Sequence, residues 1–286
     1  MTALQVQPRG ESFCPSLDTG ARSNTPKGRD NDKRRIKTDD AIVIMVGEVH
    51  VGTSGWHYKH WIGSFYPEDI SANAMFSFYA RHFDTVEINN TFYRLPVPAT
   101  FDSWRVNSPK NFQFAVKANR FITHMKKLKD PETSNAKFFS AAEHLEEKLG
   151  PILFQLPPRW GFDRARLSQF LEALPIGHRY VFEIRDESWL VPQLFELLRR
   201  HNAAFCIHDL AQMQTRLEIT ADFTYLRFHG PGTAKYSGSY SRTELRLWAN
   251  RICSWRKDLS AVYAYFNNDI GGHAVRNALA IREMVS

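Results

Sequence analysis

Hydrophobic residues are concentrated in eight short runs along the chain, and most of these runs carry a charged or amide residue near their end. The runs lie at residues 49–53, 85–89, 112–117, 151–155, 180–185, 205–209, 225–229 and 262–268. Strands that are covered on both faces, as in parallel sheets, form short apolar runs of this kind. The pattern therefore predicts eight buried parallel strands.

Amphipathic segments separate these strands, with apolar residues repeating at intervals of three and four, as in Leu245, Trp248 and Ile252. Helices are predicted over residues 68–82, 133–148, 163–174, 191–201, 241–257 and 272–285. Residues 99–108 predict a short helix and residues 210–221 an irregular segment. Eight strands that alternate with helices through right-handed crossovers predict an α/β fold, a single (β/α)8 TIM-type barrel.

Residues 1–44 are polar and basic and show no hydrophobic periodicity, which predicts a disordered tail. The barrel domain is then expected over residues 45–286, close to the ~250 residues typical of this fold. Met45 directly precedes the first strand, so it could be the true translation start, with residues 1–44 upstream of it.

The apolar run at residues 41–46 is too short for a signal peptide or a membrane span. Cys14, Cys206 and Cys253 are widely spaced, which favours a reducing compartment and no cysteine metal site. We expect a cytoplasmic protein without a membrane partner, and the sequence leaves its oligomeric state open. The formal net charge of +7 gives a modest preference for anionic partners.

Alternate residues of a barrel strand point into the lumen, so the apolar residues between them identify the inward side chains. Val86 and Ile88 are expected to pack outward, which places Glu87 and Asn89 inside. The same alternation on the other strands places inside Lys117, Glu183, Arg185, Tyr225, Arg227 and His229. These residues fall near the carboxyl ends of their strands, where TIM barrels carry their active sites.

The inward charges suggest carboxylate acid and base chemistry. Glu87 and Glu183 would transfer protons, with Lys117 and Arg185 tuning their ionisation. Lys117, Arg185 and Arg227 would stabilise negative charge on the substrate. The structural alternative is an ion-pair network in which Glu87 faces Lys117 across neighbouring strands. A Schiff-base role for Lys117 is less favoured, because a lysine beside a glutamate normally stays charged.

Further polar and aromatic residues near strand ends are candidate substrate contacts, although such aromatics more often pack the loops over a barrel. The candidates are Trp56, Asn89, Tyr93, Gln155, His208, Asp209, Arg227, His229, Asn267 and Asn268. Glu87, Glu183, His208, Asp209 and His229 could also bind a divalent metal. The three neighbouring cations argue against a metal, so we predict no metal and no cofactor.

Two glycine-containing loops follow the last two strands, at residues 230–238 and 267–273. TIM barrels often bind phosphate where these loops meet a helix N-terminus. Gly271, Gly272 and His273 are therefore predicted to bind an anion, with Lys235 and Arg276 nearby. Plain turns would explain the glycines equally well.

The segment 120–129 follows the third strand and combines basic residues with Phe121 and Met125. A solvated basic loop is the simpler interpretation. The same composition would also suit a nucleic-acid backbone, so a nucleic-acid partner stays open.

Several motifs in order resemble the YecE-like family, domain of unknown function 72. They are residues 53–56 (TSGW), 85–93 (TVEINNTFY), 114–117 (FAVK), 154–158 (FQLPP), 265–269 (YFNND) and 272–274 (GHA). The resemblance implies a TIM barrel over about residues 49–285, loosely similar to sugar isomerases, and it supplies no established activity. The sequence departs from it in the long N-terminal tail and at Asp186, where relatives are expected to have histidine.

Three functions stay open at this point. The favoured one is an enzyme that acts on a small anionic or phosphorylated molecule, sugar-like or nucleotide-like, by isomerase-like or hydrolase-like chemistry. The second is a barrel that processes or binds nucleic acid, and the third is a noncatalytic protein that binds a small ligand.

Overall fold

The computed structural model describes residues 35–38, 41–44, 46–209, 216–234 and 236–286. Its strands are β1 (Arg35–Thr38), β2 (Ala41–Ile44), β3 (Glu48–Thr53), β4 (Thr85–Ile88), β5 (Gln113–Lys117), β6 (Leu149–Gln155), β7 (Tyr180–Glu183), β8 (Ala204–Asp209), β9 (Phe223–Phe228) and β10 (Ala261–Phe266). Its α-helices are α1 (Ala74–His82), α2 (Pro98–Val106), α3 (Pro131–Ala142), α4 (Arg164–Glu172), α5 (Pro192–Arg200), α6 (Arg242–Trp255) and α7 (His273–Val285).

The eight strands β3 to β10 form one parallel sheet in which β3 pairs with β10 and the others follow in chain order to β4. A parallel bridge between Ser54 and Glu87 joins the two ends of this sheet. The ring of eight strands with helices between them confirms the predicted TIM barrel. β1 and β2 pair with each other as a separate antiparallel sheet.

The helices lie where the hydrophobic periodicity predicts them, and each α-helix has fewer residues than predicted. α3 begins at Pro131, because proline lacks the N–H that the first helical turn would leave unpaired. It ends at Ala142, where a 3₁₀ turn (Glu143–Lys148) continues the segment that was predicted as helix. α6 begins with a capping box between Ser241 and Glu244.

Parts of the predicted irregular segments lie outside the described residues. This holds for Met45, for most of the predicted tail at residues 1–44 and for residues 210–215. Residues 216–222, which are described, lead into β9 without a helix, in agreement with the prediction.

The lumen has an apolar and aromatic lower half. It is filled by small side chains and three tyrosines, among them Ala115, Val181, Cys206, Tyr225, Tyr263 and Tyr265. His50 stacks on Tyr263 with ring centroids 4.8 Å apart, and its ring nitrogens lie 3.2 Å from carboxylate oxygens of Glu48 and Asp84. This packing fills the lower end, so the polar chemistry lies at the carboxyl ends of the strands.

Candidate active site

Arg227 crosses the lumen and joins two carboxylates from distant strands. Its Nη2 donates to Glu87 Oε1 at 2.8 Å, and its Nη1 donates to Glu183 Oε2. All three residues are at most 1 % exposed. We call these three residues the arginine bridge. The inward side chains that strand alternation predicts therefore meet, but through a long arginine side chain and not through neighbouring strands.

Glu87 is the most fully hydrogen-bonded member of the arginine bridge. Besides Arg227, it accepts hydrogen bonds from Ser54 Oγ at 2.6 Å, Tyr225 OH at 2.6 Å and Asn89 Nδ2 at 3.0 Å. Burial alone would raise the pKa of Glu87, but the Arg227 charge and the hydrogen bonds from Ser54 and Tyr225 outweigh it, so the pKa is lowered. Glu87 therefore stays ionised.

Glu183 has two guanidinium partners. Its Oε1 forms an ion pair with Arg185, and its Oε2 accepts from Arg227. Burial works against the charged form, but Arg185 and Arg227 together hold the pKa of Glu183 well below its usual range. A carboxylate with a lowered pKa is a poor acid and a weak base near neutral pH. This geometry argues against the proton-transfer role predicted for Glu87 and Glu183.

The amine of Lys117, at the end of β5, has uncharged groups as its direct contacts. Its Nζ donates to Gln155 Oε1 at 2.7 Å and lies 4.4 Å from the centre of the Phe92 ring. The predicted ion pair with Glu87 is wrong because the register places Glu87 opposite Ala115, two residues before Lys117. Within the described part of the chain, no carboxylate forms an ion pair with this amine.

The amine of Lys117 is accordingly easy to deprotonate. Burial, with help from the positive charge of Arg227, lowers the pKa of Lys117 to about 8, although Glu183 and Glu87 act in the opposite sense. Lys117 is 9 % exposed. Its carbonyl oxygen accepts a hydrogen bond from Thr91 Oγ1 at 2.6 Å, which fixes the backbone at the strand end.

His229 connects the arginine side of the lumen to the loops above it. Arg185 Nη2 lies 3.1 Å from His229 Nε2. Nδ1 faces the Asn267 amide at 3.2 Å. Burial lowers the pKa of His229 to about 3, so the ring is neutral. His208 is also buried, with a lowered pKa, and its Nε2 lies 2.9 Å from the Ile184 carbonyl oxygen.

Asp209 supports the loop that follows β9. It accepts hydrogen bonds from the His229 backbone N–H at 2.7 Å and from the Tyr240 hydroxyl, which in turn accepts from the Gly230 N–H at 2.8 Å. Burial raises the pKa of Asp209 to about 6, although the Tyr240 hydrogen bond opposes the shift. Asp209 thus ties the loop to the barrel.

The predicted anion-binding loop contacts mainly itself. The Gly272 N–H donates to the Asp269 carbonyl oxygen at 2.8 Å, so it is not free to bind an anion. Arg276 Nη2 lies 3.0 Å from the Gly271 carbonyl oxygen and 3.0 Å from His273 Nδ1. Both glycines have a positive φ, which accounts for their presence as turn residues. Lys235, the other predicted cation, lies outside the described residues.

A cavity of about 500 Å³ opens beside this loop at the carboxyl ends of β3 and β10. Its lining is Tyr58, His60, Tyr236, Asn267, Asp269, Ile270 and Gly271. Asn267 also contacts His229, which links the cavity to the charged lumen. Burial raises the pKa of Asp269, opposed by the Trp61 indole N–H at 2.7 Å and by His60 at 2.8 Å. Sequence reasoning missed His60 and counted Tyr58 among the aromatics after the first strand without selecting it as a substrate contact; the position of both just after a strand end was the available signal.

Comparison with known proteins identifies the family. A family model described as "Protein of unknown function DUF72" matches residues 50–286. The chain belongs to this family. The predicted resemblance is thereby confirmed over the whole barrel of this DUF72 protein.

Two relatives and two solved structures show how far the likeness extends. UPF0759 protein YunF of Bacillus subtilis (strain 168) is 24 % identical over 273 residues, 83 % of this chain and 94 % of YunF. UPF0759 protein YecE of Escherichia coli (strain K12) is 29 % identical over 148 residues, about half of each chain. A DUF72 family protein from Thermotoga maritima superposes with a TM-score of 0.76 and 29 % identity, covering 83 % of this chain and 99 % of that one. A DUF72 family protein from Enterococcus faecalis shows the shared fold. It superposes with a TM-score of 0.73 and 20 % identity, covering 83 % of this chain and 95 % of that one.

Some predicted contacts of this DUF72 protein lie away from the charged lumen. Trp56 packs against Phe76 and Trp104, as the packing interpretation of the aromatics expects. Tyr93 is 75 % exposed. Asn268 is fully buried, and its Nδ2 donates to the Gly238 carbonyl oxygen at 2.9 Å, so it holds two loops together. These side chains do not line the cavity beside the α7 loop.

The basic segment of this DUF72 protein begins with a single π-helical turn, Phe121–Met125. Phe121 is 41 % and Met125 65 % exposed, and Lys126 forms an ion pair with Asp130 at 2.9 Å. Ile122 and Thr123 of this segment are buried, and the His124 ring lies 5.0 Å from the Phe92 ring that covers Lys117, so the segment is exposed on one side and contacts the surroundings of Lys117 on the other.

Two features are absent from the described residues. No group of three or more histidine, cysteine, aspartate and glutamate side chains has a geometry that could hold a metal ion. None of the helices in the described ranges has the length and apolar character needed to cross a membrane.

Proposed function

We propose that this DUF72 protein is an enzyme that acts on a small anionic molecule, phosphorylated and sugar-like or nucleotide-like, at the carboxyl-end mouth of the barrel. One observation carries the proposal: Lys117 is a buried cation with an amide and a ring as neighbours and no carboxylate among the described residues. A buried charge without a counterion is unfavourable. An anionic substrate group would supply the missing negative charge.

The ion pairs in the lumen support a positioning role for the glutamates, in place of the proton-transfer role predicted from the sequence. Glu87 and Glu183 would hold Arg227 and Arg185 in place, because each carboxylate is committed to a guanidinium group. Lys117, with its pKa near 8, would transfer protons at neutral pH. Arg185 would stabilise negative charge that develops on the substrate.

The cavity beside the α7 loop supports a small substrate. Its volume of about 500 Å³ falls within the range of small-molecule sites. Tyr58 and Tyr236 line it with aromatic rings, and Asn267 lines it with an amide. Such a combination suits a sugar-like molecule, which has apolar faces and a hydroxylated edge.

The test compares each phosphorylated compound with its uncharged counterpart, ribose 5-phosphate with ribose and AMP with adenosine. Thermal unfolding reports binding, and ³¹P and ¹H NMR of the same mixtures report conversion. We expect the phosphorylated compound to stabilise the wild type and to lose this effect in Lys117→Met. Lys126→Met is the matched control, since Lys126 pairs with Asp130 on the surface and should leave the stabilisation unchanged.

The other outcomes separate the competing functions. Equal effects of phosphorylated and uncharged compounds would overturn the proposal. Binding without any conversion would instead indicate a noncatalytic ligand-binding protein. A mixed-sequence oligonucleotide in the same panel tests the nucleic-acid alternative, which requires binding that weakens steeply with salt.

A further inference from the structure

We propose that Lys117 is a nucleophile that forms an imine with an aldehyde or ketone group of a phosphorylated substrate. This inference rests on the proposed function and adds the reacting group of the substrate. It departs from the expectation that the lysine stays charged beside a glutamate, because the residue beside its amine is Gln155.

The contacts of the amine favour nucleophilic attack. Gln155 Oε1 accepts one hydrogen bond from Lys117 Nζ at 2.7 Å, and an amide oxygen stabilises the ammonium form far less than a carboxylate would. The Phe92 ring centre, 4.4 Å away, covers one side of the amine with an apolar surface. Arg227 and Arg185 add positive charge that disfavours protonation. Desolvation and neighbouring cations are the two means by which proteins activate a lysine as a nucleophile.

The backbone that carries Lys117 is held rigidly. Its carbonyl oxygen accepts from Thr91 Oγ1 at 2.6 Å, and the Ala118 N–H donates to the Leu153 carbonyl oxygen at 2.9 Å. A fixed strand end reduces the conformational freedom that the side chain loses when it reacts. It also keeps the amine at the carboxyl end of the barrel.

The step balances with one proton from solvent water and no other reactant. The lone pair of neutral Nζ attacks the carbonyl carbon and forms the C–N bond, while a proton moves from nitrogen to the former carbonyl oxygen. The hydroxyl of the resulting carbinolamine takes up a proton from solvent water and leaves as water, and the nitrogen keeps its remaining hydrogen in the protonated imine. No oxidant or reductant takes part, and hydrolysis of the imine returns the free amine.

Reductive trapping tests the proposal. The full chain is mixed with glycolaldehyde phosphate or dihydroxyacetone phosphate, sodium borohydride is added, and peptide mass spectrometry locates the reduced adduct. At neutral pH a lysine with a pKa near 8 has about a hundredfold more neutral amine than an ordinary lysine. We therefore expect adduct formation at Lys117 to be roughly ten- to a hundredfold faster than at the exposed lysines Lys129 and Lys137, after allowance for its burial.

Two variants distinguish the failure of this inference from failure of the proposed function. Lys117→Arg keeps the positive charge but cannot form an imine, so it should still bind the phosphorylated probes and lose the adduct. Lys126→Met should keep both. Binding of the probes by wild type with no preference for Lys117 among the adducts would overturn the nucleophile and leave the proposed function standing. Neither binding nor preferential trapping would overturn both.

Discussion

The charged lumen contains two buried cations with different surroundings: one has carboxylate partners and the other has none within the described ranges. In the arginine bridge, Arg227 lies between two carboxylates, and each carboxylate is further held by other donors. Lys117 lies in the same lumen beside the amide of Gln155 and the ring of Phe92. Both cations are buried, yet one is neutralised by its neighbours and the other is not.

This difference suggests that one cation stabilises the fold and the other takes part in the reaction. A buried charge with a complete set of partners keeps its charged form and holds its surroundings in place. A buried charge without an opposite partner loses its proton more easily, as the lowered pKa of Lys117 shows. We interpret the arginine bridge as the scaffold and Lys117 as the reactive group.

The largest predicted effect is on the scaffold side. Arg227→Met leaves Glu87 and Glu183 buried without their shared counterion, which should lower the free energy of unfolding by about 3–5 kcal/mol. Urea unfolding measures the change. As a control, Arg199→Met removes an exposed ion pair with Glu218 and should cost at most about 1 kcal/mol. Equal losses in the two variants would contradict the assigned role of the bridge.

A smaller effect, with a distinct pH signature, is predicted for Lys117→Met. The folded pKa of about 8 lies below the unfolded value of about 10.4, so the unfolded chain binds more protons between these pH values. Wild-type stability should therefore rise relative to the variant as pH increases from about 8 to about 10, by up to about 1.4 kcal/mol per pH unit. Urea unfolding at several pH values measures this. If the free energies of unfolding of the two proteins changed in parallel with pH, the pKa of the amine would not be shifted.

Asp209 should give a slope of the opposite sign at lower pH. Its folded pKa of about 6 lies above the unfolded value of about 3.9, so the folded protein binds more protons in this window. Wild-type stability should fall as pH rises from about 4 to about 6, relative to Asp209→Asn. Unfolding curves at several pH values check this, and a constant difference between the two proteins would argue against the shifted carboxyl.

The smallest effect is expected outside both regions. Tyr93 was predicted to bind substrate, but it is 75 % exposed, so Tyr93→Ala should change the free energy of unfolding by at most about 0.5 kcal/mol. Binding of the phosphorylated compounds should also persist. If the compounds no longer stabilised the variant in thermal unfolding, Tyr93 would be a substrate contact after all.

Local patterns were sufficient to predict the barrel and the inward side chains. Eight apolar runs give the strands, and a period of two decides which side chains point inward, as the contact between Arg227 and Glu87 confirms. The period of two does not predict which inward charges meet. That depends on strand register, which places Glu87 opposite Ala115, and on the reach of an arginine side chain across the barrel.

The loops were harder to predict because their contacts are long-range. Tyr58 and His60 meet Tyr236 and Asn267 around one cavity only after the ring of strands has closed. Likewise, glycines at residues 271 and 272 are compatible with an anion site or a turn, and a hydrogen bond from Gly272 to Asp269 favours the turn.

The most direct test of the central claim is the pKa of the Lys117 amine. A titration followed by NMR of ¹³Cε-labelled lysines measures it in the folded protein, with the signal assigned by its loss in Lys117→Arg. We predict a midpoint near 8 for this amine. A midpoint near the ordinary value of about 10.4 would contradict the distinction between the scaffold and the reactive amine.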